Sequence, residues 1–239
     1  SLHDALPILT VNRRLTTKDN EKLNIRSEFN KIKIEIDNFI EDKYSNRFIV
    51  IPGLRNVGKT TLLYQAYDYL FKEKNIPISN ILYMSCEDLN DVVECSVREM
   101  TEIYLKNRFN RKLRTIDEKI FLLIDEAHFD KNWAISGKII YDKTENIFTI
   151  FTGSSAISLE YNTDAARRLK KRPLTPLNYA EHLKLKYGQN HNKLSDALRE
   201  LLFTGNIENA VEFEQITNDS LANSLEYTSE DWDFFVKYG

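Results

Sequence analysis

Gly53-Leu54-Arg55-Asn56-Val57-Gly58-Lys59-Thr60 spaces glycine, lysine and threonine in the way that suits a polyphosphate. The apolar run Phe48-Ile49-Val50-Ile51 precedes this string, and Thr61-Leu62-Leu63-Tyr64-Gln65-Ala66, which reads as helix, follows it. Backbone N–H groups at a helix N-terminus point at bound anions, and glycine lets the backbone wrap phosphates without a Cβ in the way. Lys59 then reaches the β- and γ-phosphates of a nucleoside triphosphate, the Thr60 hydroxyl ligates Mg2+, and residues 53–61 supply the cradle. The spacing alone arises by chance; the strand before it and the helix after it give it meaning.

A second element is independent of the first. Phe121-Leu122-Leu123-Ile124 ends in Asp125-Glu126, an uncharged run that reads as a buried parallel strand delivering two acids to the ligand crevice. Asp125 is expected to hold the metal through its water shell, and Glu126 to orient or deprotonate the attacking water. Paired acids at a strand end are otherwise an ordinary solvated turn. A carboxylate aimed at water favours hydrolysis over phosphate transfer.

The chain has 239 residues, 42% of them hydrophobic, enough for one substantial core and one or two domains. Lys and Arg number 33 against 36 Asp and Glu, a net charge of -3, so no global field draws it to nucleic acid or an anionic membrane. Cys86 and Cys95 are too few for a disulfide framework and fit a reducing, cytoplasmic setting. No apolar run approaches the ~20 residues that span a bilayer.

Hydrophobic periodicity places the elements around these motifs. Phe29, Ile32, Ile36, Phe39 and Ile40 predict an amphipathic helix over residues 27–44, and the helix after the glycine loop is expected to end near Asn75. A strand is expected over 81–84. One long helix follows, capped by Asp88, with Leu89, Val92, Val93, Val97, Met100, Ile103 and Tyr104 on its buried face. The acid-bearing strand over 119–125, a helix over 133–141, a strand over 146–151 and a short fifth strand over 171–174 complete an alternating pattern. That alternation implies a parallel sheet with helices on both faces and ligands at the strand C-terminal ends.

The opening Ser1-Leu2-His3-Asp4-Ala5-Leu6-Pro7-Ile8 resembles translated adapter sequence, and residues 1–20 are expected to be unstructured or artefactual. Residues 21–177 are expected to form the core. Residues 178–239 read as helices only, over 179–187, 193–203 and 207–213, and are expected to be a truncated lid or linker.

Several strings together resemble one family: residues 53–63, Ile-Leu-Tyr-Met-Ser-Cys-Glu-Asp at 81–88, Leu-Leu-Ile-Asp-Glu-Ala-His at 122–128, Trp133, Phe-Thr-Gly-Ser-Ser-Ala at 151–156, and Pro-Leu-Asn-Tyr-Ala-Glu-His-Leu at 176–183. They are similar to the archaeal-type and related bacterial predicted ATPases of the AAA+ superfamily, over residues 47–187. The resemblance implies an α/β P-loop NTPase fold, a parallel five-stranded sheet flanked by helices and followed by an α-helical lid, with ATP and Mg2+ as ligands. It further implies a C-terminal effector, nuclease-like or DNA-binding in such proteins. The strand carrying Thr152 to Ser155 is implied to lie between the strands of the phosphate loop and of Asp125-Glu126. Its end is the sensor position, for which Thr152 and Ser154 are the candidates; hydroxyls that merely cap a strand exit are the alternative. The signal-transduction branch carries an arginine just after this strand, where this chain has Gly153-Ser154-Ser155, so the archaeal-type branch fits better.

Arg167 and Arg168 stand where such proteins carry an arginine that touches the γ-phosphate of a neighbouring subunit, which implies a homo-oligomer. They also belong to a charged run with Lys170, Lys171 and Arg172, and such runs are usually only solvated. Lys106, Arg108, Arg111, Lys112 and Arg114, with Phe109 among them, offer a grip on a nucleic-acid backbone, but the negative net charge favours a solvated helix end. His128 completes the helicase-like string Asp-Glu-Ala-His, yet no other histidine has ligand spacing to it, so it is expected to pack or hydrogen-bond beside the acids.

Two functions of different class remain. One is an ATPase whose cycle moves the lid and the effector. The other is a nucleotide-gated module that binds ATP with negligible turnover and uses occupancy to set the lid. A two-core helicase ranks third, because too few residues follow Leu177 for a second motor. GTP is disfavoured by the lack of an Asn-Lys-x-Asp string.

Overall fold

The computed structural model describes residues 8–17, 21–92, 94–154, 163–187, 202–205, 207–208, 211–212 and 229–238. Five strands form one sheet in the order β2-β3-β4-β1-β5: β1 is Phe48–Pro52, β2 Ile81–Ser85, β3 Ile120–Asp125, β4 Ile147–Gly153 and β5 Lys170–Lys171. Every pairing is parallel. β4 lies between the strand of the glycine loop and the strand of the paired acids, the order that the resemblance implied.

The central strands are buried along their whole length, as uncharged runs covered on both faces must be. Alternation divides their side chains between two cores. Phe48 and Val50, with Ile120, Leu122 and Ile124, face one side; Ile49 and Ile51, with Phe121 and Leu123, face the other. The first side is covered by α4 (Cys86–Val92), α5 (Val97–Phe109), α6 (Trp133–Lys143) and α7 (Thr163–Ala166), through Leu89, Val97, Leu105, Trp133, Ile140 and Ala165. The second is covered by α1 (Ile8–Arg14), α2 (Ser27–Ile40) and α3 (Lys59–Asp68), through Val11, Phe29, Ile36, Leu63 and Tyr67. The sheet is thus the middle of three layers.

Five expectations are corrected. Residues 8–14 are helical, with Val11 and Leu15 buried in the second core, so an unstructured segment reaching residue 20 does not hold for them; residues 1–7 and 18–20 lie outside the described ones. The long helix after β2 is two helices. The second starts at a capping box in which the Ser96 hydroxyl accepts from the Glu99 amide and the Glu99 carboxylate accepts from the Ser96 amide, so Ser96 and not Asp88 is the cap. Ile103, assigned to the buried face, is exposed. The fifth strand is only Lys170–Lys171, beside β1, followed by an isolated bridge from Leu174 to Gly53. The helix after the glycine loop turns from α to a π-helical turn, Tyr69–Glu73.

The chain divides into two compact units, Ser1–Pro176 and Leu177–Gly239. In the second, α8 (Tyr179–Tyr187) packs against α9 (Ser229–Tyr238), with the Tyr179 ring edge-on to Trp232 at 4.9 Å. The helices expected over 193–203 and 207–213 lie largely outside the described residues. Among the described residues, no helix is long and apolar enough to cross a membrane.

Candidate functional site

The register of the parallel strands brings their C-terminal ends to one edge. Ser85 pairs with Asp125, Ile124 with Phe151, and Ile51 with Thr152, so the glycine loop after β1 and the acids ending β3 open onto the same side. A cavity of about 170 Å³ lies there, lined by Arg55, Lys59, Glu87, Glu126, His128, Phe129 and Ser154.

The loop is built around two glycines with different reasons. Gly58 caps α3 in a left-handed conformation (φ 95°) with open space where a Cβ would go, and it has no side chain to occupy the first N–H groups of the helix. Gly53 is required by close approach: an added Cβ would lie 2.6 Å from the Leu174 carbonyl oxygen. Asn56 is also left-handed (φ 65°), and Leu54, Arg55 and Asn56 are exposed at the loop's outer rim. Val57 packs against the second core, and Thr61 lies in the first turn of α3. Lys59 is 5% exposed, and its Nζ donates to the Leu54 carbonyl over 2.9 Å, so the amine spans the loop it would serve.

Asp125 is the meeting point. Its Oδ2 accepts from Thr60 Oγ1 at 2.7 Å and from Tyr83 Oη at 3.2 Å; its Oδ1 accepts from the Thr152 hydroxyl and, at 3.1 Å, from the Glu126 amide. Thr152 is fully buried and spends its hydroxyl on Asp125, behind the carboxylate and away from the cavity wall. Thr152 therefore supports Asp125 instead of facing a phosphate, whereas Ser154 lines the cavity. Ser155, assigned to the same strand end, lies outside the described residues.

Glu126 takes a left-handed conformation (φ 47°, ψ 45°), which costs a residue with a Cβ about 1–2 kcal/mol. Hydrogen bonds from its amide to Asp125 and, at 3.3 Å, to Thr152 Oγ1 hold it there. The turn aims its side chain at the cavity, where Oε2 is 3.3 Å from His128 Nδ1. His128 thus sits beside the acids, as expected.

Two supporting residues escaped the sequence. Tyr83 donates to Asp125 while its ring stacks on Tyr64 at 5.5 Å; burial first, and the neighbouring Asp125 charge second, push its hydroxyl well above the ordinary range, so it remains a donor. Strand alternation after the acid-bearing neighbour was the available signal. Arg26, 7% exposed, donates to the carbonyls of Val57 (2.8 Å) and Thr175 (3.1 Å), fastening the glycine loop from behind. A lone arginine ahead of a helix carries no sequence signal for that role.

The remaining candidates stand elsewhere. Arg168 is paired with Asp142 on α6, and Arg167 is exposed; neither lines the cavity. In the basic stretch, Arg111 pairs with Asp117 at 3.8 Å, and Phe109 packs on Tyr104 against the core instead of offering an exposed stacking face.

The oxygen donors fit a hard divalent cation, since a hydroxyl and a carboxylate converge at hydrogen-bond distance beside the lysine. Among the described residues no group of three or more His, Cys, Asp or Glu side chains that could hold a metal ion converges.

A family model described as an AAA domain matches residues 45–183. The chain is 34% identical over 187 residues to an uncharacterized protein of Methanocaldococcus jannaschii, covering 77% of this chain and 37% of that protein. It is 29% identical over 167 residues to an uncharacterized protein of Haemophilus influenzae, covering 68% and 40%. The chain therefore spans well under half the length of either relative. Among solved structures, Aeropyrum pernix ORC1 in complex with DNA superposes with a TM-score of 0.50 at 10% identity, covering 89% of this chain and 64% of that one, a likeness of fold.

Proposed function

Because the chain belongs to the AAA family of P-loop NTPases, we propose that it binds ATP with Mg2+ at the cavity beside Lys59 and hydrolyses it. The observation that carries this reading is the convergence of Thr60 Oγ1 and Asp125 Oδ2 at 2.7 Å, next to a buried lysine and a cavity-facing Glu126. Lys59 leaves the Leu54 carbonyl to meet phosphate oxygens, and the first N–H groups of α3 bind them from below. Thr60 and Asp125 hold the cation, directly or through water, while Thr152 and Tyr83 fix the carboxylate. The cation, when bound, neutralises charge that builds on the phosphates during transfer. Glu126 orients water and takes its proton, and Ser154 lies on the wall facing it.

The proposal extends to a second copy of the chain. Arg167 is the better finger candidate of its pair, since Arg168 is committed to Asp142. A lid in residues 178–239, an effector domain of the kind the resemblance implies and a reducing, cytoplasmic setting belong to the same reading; the free Cys86 and Cys95 support the last. Binding with negligible turnover is the second reading, favoured by the His128 ring against the Glu126 carboxylate.

Phosphate release from ATP decides between them. Mg2+-dependent release that is lost in Lys59→Ala and Glu126→Gln, with nucleotide still bound by Glu126→Gln, is the expected result. Tight binding without release at saturating protein selects the second reading, and no binding removes both. Arg167→Ala with unchanged turnover at saturating protein removes the finger.

A further inference from the structure

We propose that the side chain of Arg55 holds the terminal phosphate of a nucleoside triphosphate, and does so for the cavity of its own chain. This role rests on the nucleotide reading of the cavity and adds to it a ligand group for one side chain. Arg55 stands in the arch of the glycine loop, between Leu54, whose carbonyl takes the Lys59 amine at 2.9 Å, and Asn56, whose left-handed backbone (φ 65°) turns the chain. It is exposed, yet it lines the same cavity as Lys59, Glu126 and Ser154. Among the described residues its guanidinium has neither a hydrogen bond nor an ion pair.

Size decides which part of the ligand fills the cavity. At about 170 Å³ it falls below the ~300 Å³ at which sites for whole small molecules begin, so it takes the end of a polyphosphate and its cation and leaves sugar and base outside. Charge decides what that end requires. Two cations, Arg55 and Lys59, and two carboxylates, Glu87 and Glu126, line the cavity. The carboxylates repel an entering phosphate, and Lys59 is buried and spans the loop, whereas Arg55 is uncommitted. A guanidinium presents its donors in a planar fork that matches two phosphate oxygens. Arg167 and Arg168 do not line the cavity, so among the described residues Arg55 is the arginine placed to do this. A diphosphate leaves that corner to water, so the contact exists in ATP and is missing in ADP.

Calorimetric titration of the full chain with ADP and with a non-hydrolysable ATP analogue, both with Mg2+, tests the contact without calling on turnover. Arg55→Ala is expected to weaken the analogue by roughly 10- to 100-fold, the worth of a charge-assisted hydrogen bond, while ADP stays within about twofold. The ratio of the two affinities then falls by the same factor, and the ADP titration reports that the loop is still formed. Arg55→Lys keeps the charge and loses the fork, and should recover part of the loss. Equal weakening of both nucleotides, or an unchanged affinity for the analogue, overturns the proposal. A wild type that binds neither nucleotide removes the nucleotide reading itself, and this role with it.

Mixing two variants separates a contact within one chain from a contact lent by a second copy. Lys59→Ala keeps Arg55 but lacks the buried amine of its own cavity. Added in excess to Arg55→Ala, it should leave the affinity for the analogue low, because its Arg55 serves only its own loop. Affinity restored by mixing would place Arg55 in the cavity of a neighbour and overturn the assignment.

Discussion

The Thr60 hydroxyl donates to Asp125 Oδ2 over 2.7 Å, across 65 residues of sequence. Two oxygens this close either share a proton or share a cation. On the proposed reading, the hydrogen bond is the resting form of the cation site, and the Thr60 proton turns away when Mg2+ binds. Both partners are placed by backbone: Thr60 by the first turn of α3, Asp125 by the last residue of β3.

Asp125→Asn keeps the shape of the side chain and removes its charge. Wild-type protein should gain about 2.7 kcal/mol of stability from the Mg2+ form of an ATP analogue at a hundredfold excess over Kd. Most of that gain should vanish in the variant, while stability without ligand changes little, because the surrounding hydroxyls can rotate to suit an amide. Denaturant unfolding with and without Mg2+ measures both. An undiminished gain in the variant removes Asp125 from the cation site.

The loop and the acids were legible because each writes itself in residue types, whereas the place of β4 between β1 and β3 came from the family resemblance. Covered strands must be uncharged, so β1, β3 and β4 stand out as apolar runs, and the loop needs glycine, lysine and a hydroxyl at fixed spacing. What failed to show was whatever depends on a partner. β5 is two lysines, a strand only because β1 offers it an edge. The break before α5 was hidden by apolar spacing that runs on through it, although Ser96-Val97-Arg98-Glu99 spelled the capping box. Thr152 was one of two sensor candidates that the resemblance implied, with a strand-exit cap as the alternative; register and burial turn its hydroxyl to Asp125.

Tyr83→Phe removes a donor to Asp125 while keeping the stack on Tyr64. The loss should cost about 0.5–1.5 kcal/mol of stability, the net worth of one hydrogen bond. Its larger effect should be on the Mg2+ concentration needed for half-maximal nucleotide binding, since Asp125 loses one of the groups that fix its orientation. Calorimetric titration of Mg2+ at fixed nucleotide checks it; an unchanged midpoint assigns Tyr83 to packing alone.

Gly53→Ala tests the claim that this glycine is required by its close approach to Leu174. Its Cβ would meet the Leu174 carbonyl oxygen at 2.6 Å, a backbone atom with little room to yield. Overpacking of this kind costs about 1–3 kcal/mol, and it should appear in the nucleotide-free protein, by urea unfolding. Gly58→Ala meets nothing within 4 Å and should show only the left-handed penalty, about 1–2 kcal/mol. Equal stability of Gly53→Ala and wild type contradicts the close approach.

Asp68 gives the fold a defined response to acid. It is 5% exposed at the end of α3, where Lys22 Nζ approaches at 2.9 Å and Lys72 Nζ at 2.6 Å. Burial raises its pKa, but the hydrogen bonds and charges of Lys72 and Lys22 outweigh it, leaving the carboxyl below its ordinary value of 3.8. A carboxyl depressed on folding binds fewer protons in the native state. Its stabilisation is then fully present above the unfolded value and is lost as pH falls through the lower folded one. Replacing both lysines, Lys22→Met with Lys72→Met, leaves burial unopposed and reverses the sign: the carboxyl rises above 3.8, and stability should now increase as pH drops from neutrality through that raised value. Unfolding midpoints from pH 7 to pH 3 should therefore fall more steeply for the wild type than for the double variant, and parallel curves would show that the lysine pair does not set the Asp68 charge.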